Sequence, residues 1–224
     1  MKHTSNHSSR TIAIGDIHGC DQALDGLLEA IDPKEKDLVV TLGDYVDRGE
    51  NSRGVIETLM ALGTKCQLVC LKGNHEAAML AALDGAMPLE SWLMIGGLQT
   101  LYSYGPVGSP DDIPADHIEF LRECRLVHET DTHAFLHGNY DPKVPFDEQT
   151  TATLMWLSMR DHLPSPHVSG KTVVVGHTPQ RSGDVLDLGY LQCIDTACVY
   201  GAYLTGLDVT TGKIWQVDRT GQRR

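Results

Sequence analysis

An α/β fold with a mostly parallel sheet is what three features of this 224-residue chain predict. Short apolar runs end in glycine turns that carry polar side chains, at Gly15-Asp16-Ile17-His18-Gly19, Gly43-Asp44-Tyr45-Val46-Asp47-Arg48-Gly49 and Gly73-Asn74-His75-Glu76. Apolar residues at helical spacing fill the intervals between those runs, and the second half is rich in strand-forming stretches.

Taken in order, Thr11 to Ile14 reads as a buried strand, and Asp21 can cap a helix whose Leu24, Leu27, Leu28 and Ile31 share one face before Pro33. Leu38 to Leu42 is the second strand; Asn51 or Ser52 can cap a helix carrying Val55, Ile56, Leu59 and Leu62. Cys66 to Leu71 is the third strand, and Ala77 to Leu83 continues as helix. This alternation implies parallel strands with ligands at their carboxyl ends. From about Asp84 to Thr130 the polar blocks stop, and short helices are expected around Leu89 to Ile95 and Pro114 to Cys124. Trp92, Tyr102 and Tyr104 lie there, either as a hydrophobic cluster under a loop or as a wall facing a ligand. Thr132 to Leu136, Thr172 to Val175, Tyr190 to Ile194, Tyr203 to Val209 and Lys213 to Val217 read as strands, the last two joined by a hairpin at Thr210-Thr211-Gly212. The candidate ligands run from Asp16 to His177, which argues for one domain over residues 11–220, with residues 1–10 as a polar, flexible tail.

A net charge of −12 and the lack of any basic tract exclude nucleic acid as a partner. No apolar stretch is long enough to span a bilayer, so no membrane association is expected. The six cysteines are scattered without a C-x-x-C pair, and no signal peptide precedes them, which reads as reduced thiols in the cytoplasm. Ser169-Gly170-Lys171-Thr172 echoes the end of a phosphate-binding loop, but the earlier glycine is Ser165 and the segment leads into a strand. No cysteine has an arginine six positions later, so a thiolate phosphatase pocket is missing.

A lone Gly-Asp pair is ordinarily a turn. The ordered combination of three such blocks with Leu136-His137-Gly138 and Gly176-His177-Thr178-Pro179 reads instead as a ligand set for two hard or borderline divalent metals. The glycines are expected to let the backbone approach a bound ion or phosphate closely. These blocks resemble the phosphoprotein phosphatase branch of the calcineurin-like metallophosphoesterases, whose pattern is GDxHG, GDxVDRG, GNHE and two later histidines. The likeness runs from Ile14 to about Gly201, and the size, His177-Thr178-Pro179 and Ile194-Asp195-Thr196 are similar to the compact bacterial and phage members.

The resemblance implies a four-layer α/β/β/α sandwich with two central mixed sheets flanked by helices. It also implies that Asp16 and His18 hold one metal, that Asn74, His137 and His177 hold the other, and that Asp44 bridges them. Two divalent ions, manganese first and iron, zinc or nickel as alternatives, would then share a hydroxide that attacks phosphorus directly. His75 would protonate the leaving oxygen, oriented by Asp47. Arg48 and Asn74 would contact the phosphate. Lys72 stands where the family commonly has Arg, and Arg160 comes four residues after Trp156 where compact members place an Arg two after; both are carried as phosphate contacts. Ala197 replaces the usual glycine after Ile-Asp-Thr, which bears on the conformation of that turn. The implied activity is phosphomonoester hydrolysis on phosphoserine and phosphothreonine in proteins, with dinucleoside polyphosphate hydrolysis as the alternative. A phosphoprotein or phosphopeptide would be the partner, and the sequence assigns no oligomeric state.

Overall fold

The computed structural model describes residues 9–224. Its strands are β1 (Thr11–Ile14), β2 (Leu38–Thr41), β3 (Gln67–Cys70), β4 (Val127–Glu129), β5 (His133–Leu136), β6 (Thr172–Val175), β7 (Leu186–Asp187), β8 (Leu191–Cys193), β9 (Leu204–Asp208) and β10 (Lys213–Val217). The helices are α1 (Asp21–Ile31), α2 (Ser52–Leu62), α3 (Asn74–Leu83), α4 (Leu89–Trp92), α5 (Leu98–Tyr104), α6 (Ala115–Glu123) and α7 (Thr151–Trp156). One sheet runs β10-β9-β1-β2-β3 and the other β4-β5-β6-β8-β7. In the first, β1, β2 and β3 are parallel while β9 and β10 are antiparallel additions. In the second, β5, β6 and β8 are parallel and β4 and β7 run antiparallel at the edges. The sheets are therefore mixed, because each parallel trio is extended by strands that return through short turns.

The layering follows from the two-residue period of a strand. Ile12, Ile14 and Val39 join Leu24, Leu27, Val55 and Leu59 of α1 and α2 in one core. Their neighbours Ala13, Val40 and Leu207 turn the other way and meet Phe135 and Val174 of the second sheet, sealing the two sheets face to face. Ala134, Leu136, Val173 and Val175 look outward again, onto Tyr140, Phe146 and Leu154. The result is the two-sheet sandwich flanked by helices, with α7 supplying the only regular α-helix of the second outer layer among the described residues.

Local expectations are met in several places and corrected in others. The 210–212 turn joins β9 and β10 with Asp208 opposite Lys213. Asn51 caps α2 by accepting from Gly54 N at 3.0 Å. At α1 the cap position is Cys20; Asp21 lies inside the first turn, where its carboxylate instead accepts from Asn51 Nδ2 at 2.6 Å. Helix α3 begins at Asn74, three residues before the expected Ala77, so Asn74 and His75 sit on its first turn. The middle region is helical as far as Tyr104, through a π-turn at Leu93–Gly97 that brings the Gly96 carbonyl onto Arg48 N at 3.1 Å.

The expected tail overlaps the described residues only at its end. Residues 1–8 lie outside the described residues. Arg10 is pinned: its backbone N and side-chain Nε donate to the Asp37 carboxylate at 3.0 and 3.1 Å, and Nη1 donates to Ile31 O at 3.1 Å. Lys34 N adds a further donor to Asp37 at 2.8 Å. Burial opposes the Asp37 anion, but the Arg10 guanidinium and these N–H groups outweigh it and hold the carboxyl below its usual 3.8. A carboxyl with a lower pKa when folded adds stability above its unfolded value and loses it as pH falls through the folded value. Asp37→Asn is expected to cost about 2 kcal/mol at neutral pH and to flatten the stability loss below pH about 4, measured by urea unfolding across pH; an unchanged midpoint would contradict the anchor.

Candidate active site

The site forms where β1, β2, β3, β5 and β6 end. Asp16 and His18 follow β1, Asp44 to Arg48 follow β2, Asn74 and His75 follow β3, His137 follows β5 and His177 follows β6. His18, Asp44, Asp47, Arg48 and His177 all have positive φ, between 46° and 71°. Each non-glycine residue in that region costs about 1 kcal/mol. Such strain persists only where the surroundings over-determine the conformation.

Glu76 provides much of that determination. Its buried carboxylate accepts from Asp44 N and Gly73 N through Oε2, at 2.8 and 2.9 Å, and from Tyr45 N and Val46 N through Oε1, at 2.7 and 3.2 Å. One side chain on α3 thus clamps the turns after β2 and β3 together. Burial and the neighbouring Asp44 carboxylate push Glu76 up to about 7, against the pull of these donors. The sequence reading gave Glu76 no role, although it belongs to the Gly73–Glu76 block.

The three candidate ligands His18, His137 and His177 are each fixed through one nitrogen. His18 Nδ1 meets Val46 O at 2.9 Å, His137 Nδ1 meets Leu42 O at 2.8 Å, and His177 Nε2 meets Trp156 O at 3.2 Å. A carbonyl partner makes that nitrogen the N–H donor and leaves a lone pair on the other, the arrangement that orients imidazole toward a metal. Burial lowers all three, His18 to about 3, His137 to about 4 and His177 below its usual 6.5, which favours the neutral imidazole. Asp44 lies between them: Oδ2 is 3.4 Å from His18 Nε2 and Oδ1 is 3.4 Å from His137 Nε2. Asn74 Oδ1 lies 3.1 Å from His137 Nε2 and 2.9 Å from His177 Nδ1. Electron-pair donors whose protons are committed elsewhere converge on two adjacent points joined by one carboxylate. That donor set, oxygen and imidazole without thiolate, fits two divalent cations.

Asp16 is held at the back of this group by His177 N, which donates to its two oxygens at 3.2 and 3.0 Å. The glycines serve these carboxylates. A Cβ on Gly176 would lie 2.1 Å from Asp16 Oδ1, and one on Gly73 would lie 2.2 Å from Asp44 Oδ1. At both positions the space a side chain would fill is taken by an acidic side chain.

His75 stands beside His18 and Asp44, their ligand atoms within 4.8 Å of one another. Its Nδ1 is 2.7 Å from Asp47 Oδ2. Asp47 also accepts from Trp92 Nε1, 3.0 Å from both oxygens, and from Thr100 Oγ1 at 2.8 Å. Burial disfavours the imidazolium, but the Asp44 and Asp47 carboxylates outweigh it and raise His75 above 6.5. Trp92 is fully buried and, with Tyr104, belongs to the main hydrophobic core, as the cluster reading expects and against the ligand-wall reading; its indole N–H adds support to Asp47, while Tyr102 is exposed. Neither Trp92 nor Thr100 carries a signal in the sequence that points to Asp47, since 45 and 53 residues separate them from it.

Arg48 is gathered into the site, its Nη1 at 2.8 Å from His18 Nε2. Lys72 and Arg160 are not drawn to the same point. Lys72 Nζ donates to Arg122 O at 3.0 Å, at the end of α6. Arg160 Nη2 donates to Pro179 O at 3.0 Å, two residues from His177, which places it on the rim. Ala197 adopts the left-handed conformation itself, with φ 61°, and its N–H donates to Asp195 Oδ1 at 3.0 Å.

Two facing mixed sheets with carboxylate, amide and imidazole donors at their strand ends define a metal-dependent phosphoesterase. Residues 9–209 match the model of the calcineurin-like phosphoesterases, and the chain belongs to that family of metal-dependent hydrolases, whose members use a dimetal centre. Serine/threonine-protein phosphatase 1 of Salmonella typhimurium is 30% identical over 202 residues, 86% of this chain and 88% of that protein. The symmetrical bis(5'-nucleosyl)-tetraphosphatase of Janthinobacterium sp. is 32% identical over 139 residues; the match covers 59% of this chain and 44% of that relative, less than half its length. A solved structure provisionally assigned as a diadenosine tetraphosphatase superposes with a TM-score of 0.73 at 25% identity, covering 95% of this chain and 94% of its own. A cold-active protein-tyrosine phosphatase of Shewanella shares the fold, with a TM-score of 0.63 at 17% identity over 97% of this chain and 80% of its own.

Gly176→Ala is expected to push Asp16 off its position and to weaken binding of one manganese ion at least tenfold, about 1.4 kcal/mol, read by titration calorimetry. Two ions bound with unchanged affinity would contradict the fit of Asp16 against Gly176.

Proposed function

We propose that this protein is a cytoplasmic phosphoprotein phosphatase acting on phosphoserine and phosphothreonine, with manganese as its working metal. The mouth of the site carries this reading. Met94, Ile95 and Leu98 are exposed on the segment whose Gly96 carbonyl accepts from Arg48, and Trp156, which holds His177 through its carbonyl, is half-exposed. Exposed apolar side chains on the two segments hydrogen-bonded to Arg48 and His177 suit a polypeptide presenting a phosphorylated side chain. The likeness to the Salmonella serine/threonine phosphatase over nearly all of both chains supports the same reading.

The second reading, a dinucleoside polyphosphate hydrolase, draws support from the tetraphosphatase relatives. It calls for aromatic contacts to a base, and Trp92 and Tyr104 do not offer them: Trp92 is committed to Asp47, and Tyr104 is buried with its hydroxyl 2.9 Å from His117 Nδ1. Substituting Trp92 should therefore slow every substrate alike.

Asp16, His18, Asp44, Asn74, His137 and His177 would hold the two cations. Bound there, divalent ions supply positive charge for the phosphate oxygens and acidify a water nucleophile. The chain's own groups do the rest. Arg48, gathered beside His18, would pair its guanidinium with the phosphate, and the Asn74 amide would share that contact. His75, whose pKa the Asp44 and Asp47 carboxylates raise, would deliver its proton to the leaving oxygen. Asp47 holds the ring by Nδ1, so Nε2 is the nitrogen that transfers.

A panel of phosphoserine, phosphothreonine and phosphotyrosine peptides against diadenosine tetraphosphate, compared by kcat/KM, tests the reading. A preference for the phosphoserine and phosphothreonine peptides is expected; preference for the dinucleotide would replace it with the second reading. His75→Asn should retain both metals yet lower kcat on phenyl phosphate by about 100-fold or more, with a smaller loss on p-nitrophenyl phosphate, whose leaving group needs less proton assistance. Equal losses on both would contradict the general-acid role. Because a raised pKa keeps the acid protonated to higher pH, Asp47→Asn should move the alkaline limb of kcat to lower pH.

A further inference from the structure

Arg48 and Arg181 share one aromatic ring. Their Cζ atoms lie 5.8 and 5.3 Å from the centroid of Tyr200, which is half-exposed. Elsewhere on the surface, Arg53, Arg122, Arg219 and Arg224 each lie against a carboxylate. Arg48 and Arg181 have no carboxylate partner among the described residues, although the chain carries a net charge of −12. Arg181 donates no side-chain hydrogen bond among those residues, so stacking on Tyr200 leaves its N–H edge unspent. Arg48 spends one N–H on His18 and acts on the buried Asp16 and Asp195 carboxylates, so the exposed Arg181 is the guanidinium left to attract anions beside the site.

The patch is held rigidly. Gln180 N donates to Asp195 O at 2.8 Å, and Gly183 N closes the turn onto Gln180 O at 2.9 Å, which fixes the backbone on both sides of Arg181. Asp195 also accepts from Ala197 N through its side chain at 3.0 Å, and Tyr200 N donates back to Ala197 O at 3.0 Å. Asp195 therefore ties the Arg181 turn and the Tyr200 turn to each other. The left-handed Ala197, with φ 61°, and Gly201, with φ 93°, bracket the short 3-10 turn that presents the ring. These bonds fasten the backbone of the Arg181 turn to the turn that carries Tyr200.

We propose that Arg181, stacked on Tyr200 beside Arg48, is a specificity-determining residue that binds a second negative group of the substrate, adjacent to the scissile phosphate. Resting on the phosphoprotein reading above, that group is the carboxylate of an Asp or Glu next to the phosphorylated residue. The same chemistry in a dinucleoside polyphosphate would be a neighbouring phosphate. Arg181 can form a bidentate contact with either, while Tyr200 limits its rotamers and so the entropy lost on binding.

The test compares manganese-loaded wild type, Arg181→Ala, Arg181→Lys and Tyr200→Leu on two phosphothreonine peptides, one flanked by Asp and one by Ala, together with diadenosine tetraphosphate and p-nitrophenyl phosphate. The readout is the ratio of kcat/KM between the acidic and neutral peptides. Wild type should favour the acidic peptide about tenfold, Arg181→Ala and Tyr200→Leu should bring the ratio close to one, and Arg181→Lys should retain part of it. The wild-type ratio should also shrink as ionic strength rises. A wild-type ratio near one with no effect of Arg181→Ala on the tetraphosphate overturns the proposal, as does a peptide preference that Arg181→Ala leaves intact. If neither peptide is turned over and Arg181→Ala removes a preference for the tetraphosphate over p-nitrophenyl phosphate, the anion subsite stands and the phosphoprotein reading falls.

Discussion

The Glu76 carboxylate is the constraint on which the site depends. Four backbone N–H groups from Asp44, Tyr45, Val46 and Gly73 point at its two oxygens. Those amides belong to the turns that display Asp44, Asn74 and His75, so a single side chain sets the relative position of the three residues to which the proposed function gives bridging, ligand and proton-donor roles. Without an acceptor, buried amides would each carry a desolvation penalty of about 1 kcal/mol or more, and the left-handed Asp44 would have little to hold it. Burying this anion is unfavourable by itself; cations gathered at Asp44, next to it, offset that burden when bound.

The rest of the site follows a common plan in which one atom of each functional side chain is anchored and the other is left for chemistry. His18, His137 and His177 spend one nitrogen on a backbone carbonyl. His75 spends Nδ1 on Asp47, which is itself held by Trp92 and Thr100. Anchoring of this kind places the reacting atoms before substrate arrives, which is how an electrostatic site avoids reorganisation during the reaction. It also explains why the strained φ values collect here: the ligands project from turns, and each turn is fastened on its far side.

Much of the fold and of the set of converging residues was legible because both are written locally. A strand ending in glycine, followed at once by Asp, His or Asn, is a short-range pattern; four such turns, with His137 directly after Leu136, account for the residues that converge. What was not legible depends on contacts distant in sequence. Nothing in the spacing indicates that Glu76 reaches the turn after β2, or that Trp92 turns inward to Asp47 and not outward to a ligand. Lys72 keeps the charge expected at its position, yet its ammonium has a carbonyl acceptor at the end of α6, and only the packing of α6 reveals that. Strands β4 and β7, three and two residues long, are too short to show alternation. Asp21 has the chemistry of a cap, but the chain enters α1 from the metal turn with Cys20 at the cap position, leaving Asp21 to pair with Asn51.

The central claim is that Glu76 holds the metal-bearing turns in register, and manganese titration of Glu76→Gln by calorimetry, with thermal unfolding of the same samples, tests it most directly. A glutamine offers one acceptor oxygen and presents an NH2 group to backbone donors, so the account predicts a loss of about 3 kcal/mol in stability and weakened binding at both metal positions, with the secondary structure seen by circular dichroism retained. Two ions bound at wild-type affinity in a variant of wild-type stability would contradict it.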